Sequence, residues 1–148
     1  MRDVDLQRKA RPLPGRIEHY WFENAHIGLK RTLFHRIVIP FEPFNSGLEW
    51  ASQPETTELV IDWINLGLDD PADLDGLVIA MGRTPDVEAS IYLGTAHNWT
   101  DIQELKLTRK GDVFQLQCQA IVEFENEGVA RNEPFAFETT ARYLGETK

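Results

Sequence analysis

The alternation of apolar and polar residues between residues 104 and 144 constrains this chain more than any other feature. Phe114, Leu116, Cys118, Ala120, Val122 and Phe124 fall on one side of an extended backbone, and Gln115, Gln117, Gln119, Glu123 and Glu125 on the other. Side chains of a strand point alternately to opposite faces, whereas a helix would scatter these apolar positions around its circumference. The pattern therefore predicts a half-buried antiparallel strand, wet on one face. Before it, Leu105 and Leu107 alternate with Glu104, Lys106 and Thr108, and Arg109-Lys110-Gly111-Asp112 supplies a turn. After it, a polar stretch containing Gly128 breaks the period and Pro134 opens another strand. Phe135, Phe137, Thr139, Ala141 and Tyr143 share one face of that strand. The C-terminal part thus reads as a three-stranded meander.

Upstream, shorter strands are expected at residues 17–22, 31–39, 58–64, 76–81 and 87–93, separated by segments rich in Gly, Pro, Asn, Asp and Ser. The run Leu77-Val78-Ile79-Ala80-Met81 does not alternate, which predicts a strand covered on both faces at the centre of the core. Helical signals are confined to "DDPADL", with Pro71 at a first helical position, and to the capping-box spacing of Thr100-Asp101-Ile102-Gln103. About eight strands at short intervals favour an all-β, mainly antiparallel fold, a β-sandwich or barrel with one or two short helical turns. Residues 1–16 are expected to form a flexible or loosely packed N-terminal arm, and residues 17–148 a single β domain.

A chain of 148 residues can bury a real core without covalent staples, and its single cysteine, Cys118, cannot close an internal disulfide. The N-terminal stretch is charged and broken by prolines, without the continuous apolar run of a signal peptide or membrane span, so a cytoplasmic location is expected. Asn98-Trp99-Thr100 matches a glycosylation sequon, which is read as coincidence on that ground. Charge is unevenly placed. The first 36 residues carry eight Lys/Arg against four Asp/Glu, the remainder seven against twenty, giving +4 and −13 within a total of −9. Such a field repels phosphate backbones and anionic lipid, disfavouring nucleic-acid or membrane binding, and favours a basic protein partner.

Asp69, Asp70, Asp73 and Asp75 look most like a metal site. Aligning Gly76 to the glycine of a calcium-binding loop puts Pro71 and Gly82 where oxygen ligands are required, so the residues read instead as turn and cap formers. His19, His26, His35 and His97 form no zinc-binding spacing, and no metal or other cofactor is expected. His19 and His35 occupy apolar strand faces and could converge. Ser46 lies in a turn without a nucleophile-elbow frame, and the glycines form no phosphate-binding loop.

Two segments suggest recognition. Residues 40–54, "PFEPFNSGLEWASQP", hold Phe41, Phe44 and Trp50 in a proline-stiffened loop, either tucked beneath it or exposed to a partner. Glu123, Glu125, Glu127 and Glu133, with Glu138 on the returning strand, are expected to form an acidic strip. The leading functional expectation is therefore a protein-binding module without catalytic signature, immunity-protein-like or inhibitor-like, that neutralises a basic partner. The alternative is a small-ligand-binding β barrel or enzyme whose pocket is lined by His19, Trp21, His35 and Trp63, with Trp50 and Trp99 as further candidates. A sheet edge near Pro134 or at residues 17–22 could also pair with a second copy.

Overall fold

A computed structural model describes residues 2–80 and 86–147. The protein is nearly all β: strands β1 (Gly15–Asn24), β2 (Leu29–Pro40), β3 (Glu58–Ile64), β4 (Val78–Ala80), β5 (Glu88–Leu93), β6 (Ala96–Lys110), β7 (Val113–Val122) and β8 (Glu133–Glu146). Seven of them close into a barrel in the order β1-β2-β3-β5-β6-β7-β8, and β4 is added outside that ring against β6. Every pairing is antiparallel except β1 with β8, which closes the barrel in parallel. Short helical turns occur at α1 (Leu6–Lys9), Ala25–Ile27 and Phe124–Glu127. The predicted helical turns lie elsewhere. "DDPADL" forms hydrogen-bonded turns without a helix, and Thr100–Gln103 lies inside β6.

The meander is present as β6, β7 and β8, with Phe114, Leu116, Cys118, Ala120 and Val122 all facing the core. Two irregularities explain why alternation was harder to follow elsewhere. In β6 a bulge between Ile102 and Glu104 inserts one residue against β7, so inward positions switch from Asn98 and Thr100 to Leu105 and Leu107. In β3 the pairing with β2 shifts between Ile61 and Ile64, and Trp63 takes a left-handed backbone conformation (φ 57°), its N–H donating to the Asp62 carboxylate at 2.8 Å. Ile64 consequently turns inward and Trp63 outward.

Loops close both ends of the barrel. At one end residues 41–57 fold back, burying Phe41, Phe44 and Leu48, and at the other the segment 65–77 seats Leu74. The N-terminal segment is packed rather than loose. Val4, Leu6 and Ala10 are buried in the core, the Glu133 carboxylate accepts from the Asp5 and Leu6 N–H groups, and the Gln7 amide exchanges two hydrogen bonds with the Ala136 backbone. Val4, Leu6 and Ala10 anchor the segment over seven residues together with these hydrogen bonds, a spacing obscured in sequence by the charges between them.

The expectation for β4 is corrected. β4 is a three-residue edge strand with only Ile79 buried and Val78 exposed; Met81 lies outside the described residues. β1 and β8 join only over Gly15–His19 and Ala141–Glu146, which covers Ile17 and His19 on both sides; Pro134 pairs with β7 alone, and Tyr20, Trp21 and Phe22 with β2 alone, among the described residues.

Candidate functional site

The acidic and aromatic candidates are largely used by the fold. Phe41 packs edge-on against Phe135 and Phe137, with ring centroids 5.8 and 6.4 Å away, and Phe44 is buried beside it, so neither is an exposed anchor. Burial wins because the loop backbone pairs on both sides, Phe41 with Pro12 and Phe44 with Glu55. Ser46 is buried in a hydrogen-bond cluster with Gln53 and Glu55. Trp50 is exposed, but its indole N–H donates to Gly94 O at 2.9 Å and the Arg2 guanidinium lies 5.1 Å from its ring centroid.

The glutamates do not make one strip, because β7 ends at Val122 and the chain turns into a 3-10 helix. Glu125 and Asn132 exchange bonds across that turn, Glu133 caps α1, and Glu138 lies opposite Gln117, accepting from Gln115 and Gln117. Glu123 donates its backbone N–H to Trp99 O at 2.8 Å. Glu127 is carried with this turn to the outer side of β6, near Trp99.

The aspartates near residue 70 also have structural duties. Asp70 accepts from Ala72 N–H at 2.9 Å, and Asp75 accepts from Arg109 N–H at 2.7 Å, fastening the loop to the end of β6. Asn98 of the sequon is fully buried, its amide donating to the carbonyls of Ile91, Leu93 and Ala96.

His19 and His35 do converge. They are direct partners between β1 and β2, with ring centroids 6.1 Å apart, and Tyr143 reaches them from β8. The Tyr143 hydroxyl and His19 Nδ1 share a hydrogen bond. His35 is 1 % exposed, and its Nε2–H donates to Pro71 O at 2.8 Å, which leaves Nδ1 as a buried acceptor without a partner among the described residues. Burial lowers the His35 pKa, outweighing the Pro71 bond that raises it, and burial followed by the charges of Asp70 and Glu146 keeps Tyr143 a phenol. Trp63 is not part of this cluster, since the β3 bulge sends it to the opposite side of the sheet. Trp21 is partly exposed beneath Arg31, whose guanidinium lies 4.4 Å from its ring centroid.

A further arrangement lies on the outer surface of β1, β2, β3, β5 and β6, where alternation normally places polar residues. Trp63 meets Tyr20, Phe22 and Phe34 edge-on at centroid distances of 5.6, 5.2 and 5.2 Å. Beside them Arg36 pairs with Asp62 at 3.1 Å and Glu18 at 3.5 Å, and Tyr20 O–H donates to Asp62 at 2.7 Å. Burial and then Asp62 raise the Tyr20 pKa, so this group remains a donor. The aromatic cluster forms one wall of an open groove of about 590 Å³, continued by Ile27, Leu29, Val87 and Trp99 and edged by Asp86 and Glu88. An adjoining polar depression of about 360 Å³ shares Glu88 and Trp99 and adds Asp62, Ser90, His97 and Glu127.

Sequence reasoning passed over Phe22, Ile27, Phe34 and Glu88. The available signal was doubled apolarity, Tyr20-Trp21-Phe22 and Leu33-Phe34, in strands that needed only one buried face. No protein-family model matches the chain, no curated protein matches it in sequence, and no solved structure matches it.

Proposed function

We propose that this chain is a protein-binding module for a basic partner, with the outer face of β1, β2, β3, β5 and β6 as its docking surface. The observation that carries the reading is the apolar groove with carboxylates along one side, on a chain whose residues 37–148 bear a net charge of −13. Large exposed apolar side chains rimmed by charge mark interaction surfaces. Ile27 is 72 % exposed and Trp99 43 % exposed, so their apolar area leaves water when a partner docks, while the acidic field accelerates the approach of a cationic protein. This face takes the role expected of Phe41, Phe44 and the glutamate strip.

The test is retention of a basic protein on the immobilised chain at two ionic strengths. Retention at about 50 mM sodium chloride, loss at about 500 mM, and weakening by Ile27→Ala or Glu88→Gln are expected. Retention that ignores both salt and these substitutions refutes the reading.

A second reading, a small-ligand site at His19, His35 and Tyr143, draws support from the unpartnered buried His35 Nδ1. Its test is a screen of small molecules followed by the imidazole nitrogen NMR shifts of His35; a ligand that leaves those shifts unchanged does not occupy this site.

A further inference from the structure

Three tryptophans of this chain, Trp21, Trp50 and Trp99, are exposed, and two of them are covered by an arginine of the chain itself: Arg31 lies over Trp21 at 4.4 Å and Arg2 over Trp50 at 5.1 Å from the ring centroid. On the docking face Arg36 repeats the arrangement, 5.1 Å from the Tyr20 centroid while paired with Asp62. Trp99 differs. It is 43 % exposed and no cation or ring of the described residues covers it. It stands where the apolar groove meets the polar depression, and Glu88 lines both. Neither Glu88 nor Glu127 has an ion pair or side-chain hydrogen bond among the described residues, whereas Asp62 is already engaged by Arg36 and Tyr20.

Resting on the reading of this face as a docking surface for a basic protein, we infer that the partner's recognition element is an arginine beside a bulky apolar residue. The apolar side chain fills the groove between Ile27, Leu29, Trp63 and Val87, and the guanidinium lies over Trp99 with its N–H groups directed to Glu88 and Glu127. Arginine fits better than lysine because a planar guanidinium stacks on an indole while still donating in its own plane to two carboxylates, and it is less strongly hydrated than an ammonium. The apolar groove supplies affinity through burial, and the Trp99 corner supplies the choice of residue.

The experiment selects random peptides displayed on phage against the intact chain in low salt, then measures synthetic copies by fluorescence anisotropy. Enriched peptides are expected to contain arginine next to a large apolar residue. Replacing that arginine by citrulline or lysine should weaken binding about tenfold, as should Trp99→Ala, while Glu88→Gln should erase most of the preference over citrulline. The citrulline and lysine comparisons use the unaltered protein, so they stand even if a Trp99 variant folds poorly. Selected basic peptides that bind with lysine as well as with arginine, or that ignore Trp99, overturn the inference and leave the docking reading intact. Failure to select any basic, salt-sensitive peptide, or binding that maps to another face by chemical-shift perturbation, overturns both.

Discussion

Replacing Leu6 with alanine tests the least expected part of the architecture, the packing of the N-terminal segment into the barrel end. Leu6 is 0 % exposed, sits in the same apolar cluster as Ile17, Phe41 and Phe135, and has its backbone N–H capped by Glu133. A buried Leu→Ala change costs about 2–5 kcal/mol from lost transfer energy and residual cavity. Leu6 lies on a four-residue helix at the barrel end, where neighbours can settle into part of the space, so about 2–3 kcal/mol is expected. For a domain of this size that lowers Tm by about 5–10 °C, since each kcal/mol shifts it by about 2–4 °C. Urea unfolding followed by tryptophan fluorescence measures the change, with the midpoint falling and the m-value unchanged. Glu133→Gln should cost about 1 kcal/mol by weakening the charge-assisted cap, and the two effects should be non-additive because the residues share one contact. A loss below about 0.5 kcal/mol for Leu6→Ala is what a surface substitution gives, and it would refute a packed N-terminal segment.

Other consequences are equally measurable. Because burial lowers the His35 pKa in the folded chain, the unfolded chain takes up that proton first. Stability is complete above the ordinary histidine pKa of about 6.5 and is lost as pH falls from there through the folded value, with a slope of at most about 1.4 kcal/mol per pH unit. His35→Gln should remove that component, and parallel pH–stability curves for the two proteins would contradict the assignment. Gly94 has φ +62°, and a Cβ there would meet Leu48 Cδ1 at 2.7 Å, so Gly94→Ala should destabilise by about 1–3 kcal/mol in the same urea assay; an unchanged midpoint would show that the hairpin end tolerates a side chain. Cys118 is buried and its thiol pKa is pushed up to about 12 by desolvation, so iodoacetamide should label the native protein only as fast as it unfolds. Labelling at the rate of a free thiol would contradict that burial.

The meander was legible because β7 pairs regularly with β8 over nine consecutive positions and keeps one parity throughout. The strand at residues 58–64 was legible in its bounds, but the side taken by Trp63 was not, because one inserted residue exchanges inside for outside. The same arithmetic hid the N-terminal half of β6 behind an apparent capping box. His19 and His35 could be suspected from alternation in each strand. Tyr143 could not be joined to them, since a parallel closure between the first strand and the last leaves no local trace. Glu125 and Glu138 were separated by the turn that ends β7, which alternation cannot foresee.

What the sequence by itself determined is therefore the strand content, the buried face of the regular strands and the acidic character of the chain, all properties of neighbours along the backbone. The tertiary structure decided which strands close the barrel, that residues 2–14 belong to its packing, and that Trp63, Trp99 and Glu88 meet on one outer face. Period and charge are written locally. Closure, bulges and the convergence of side chains from five strands depend on registers between distant segments, fixed only when those segments pack.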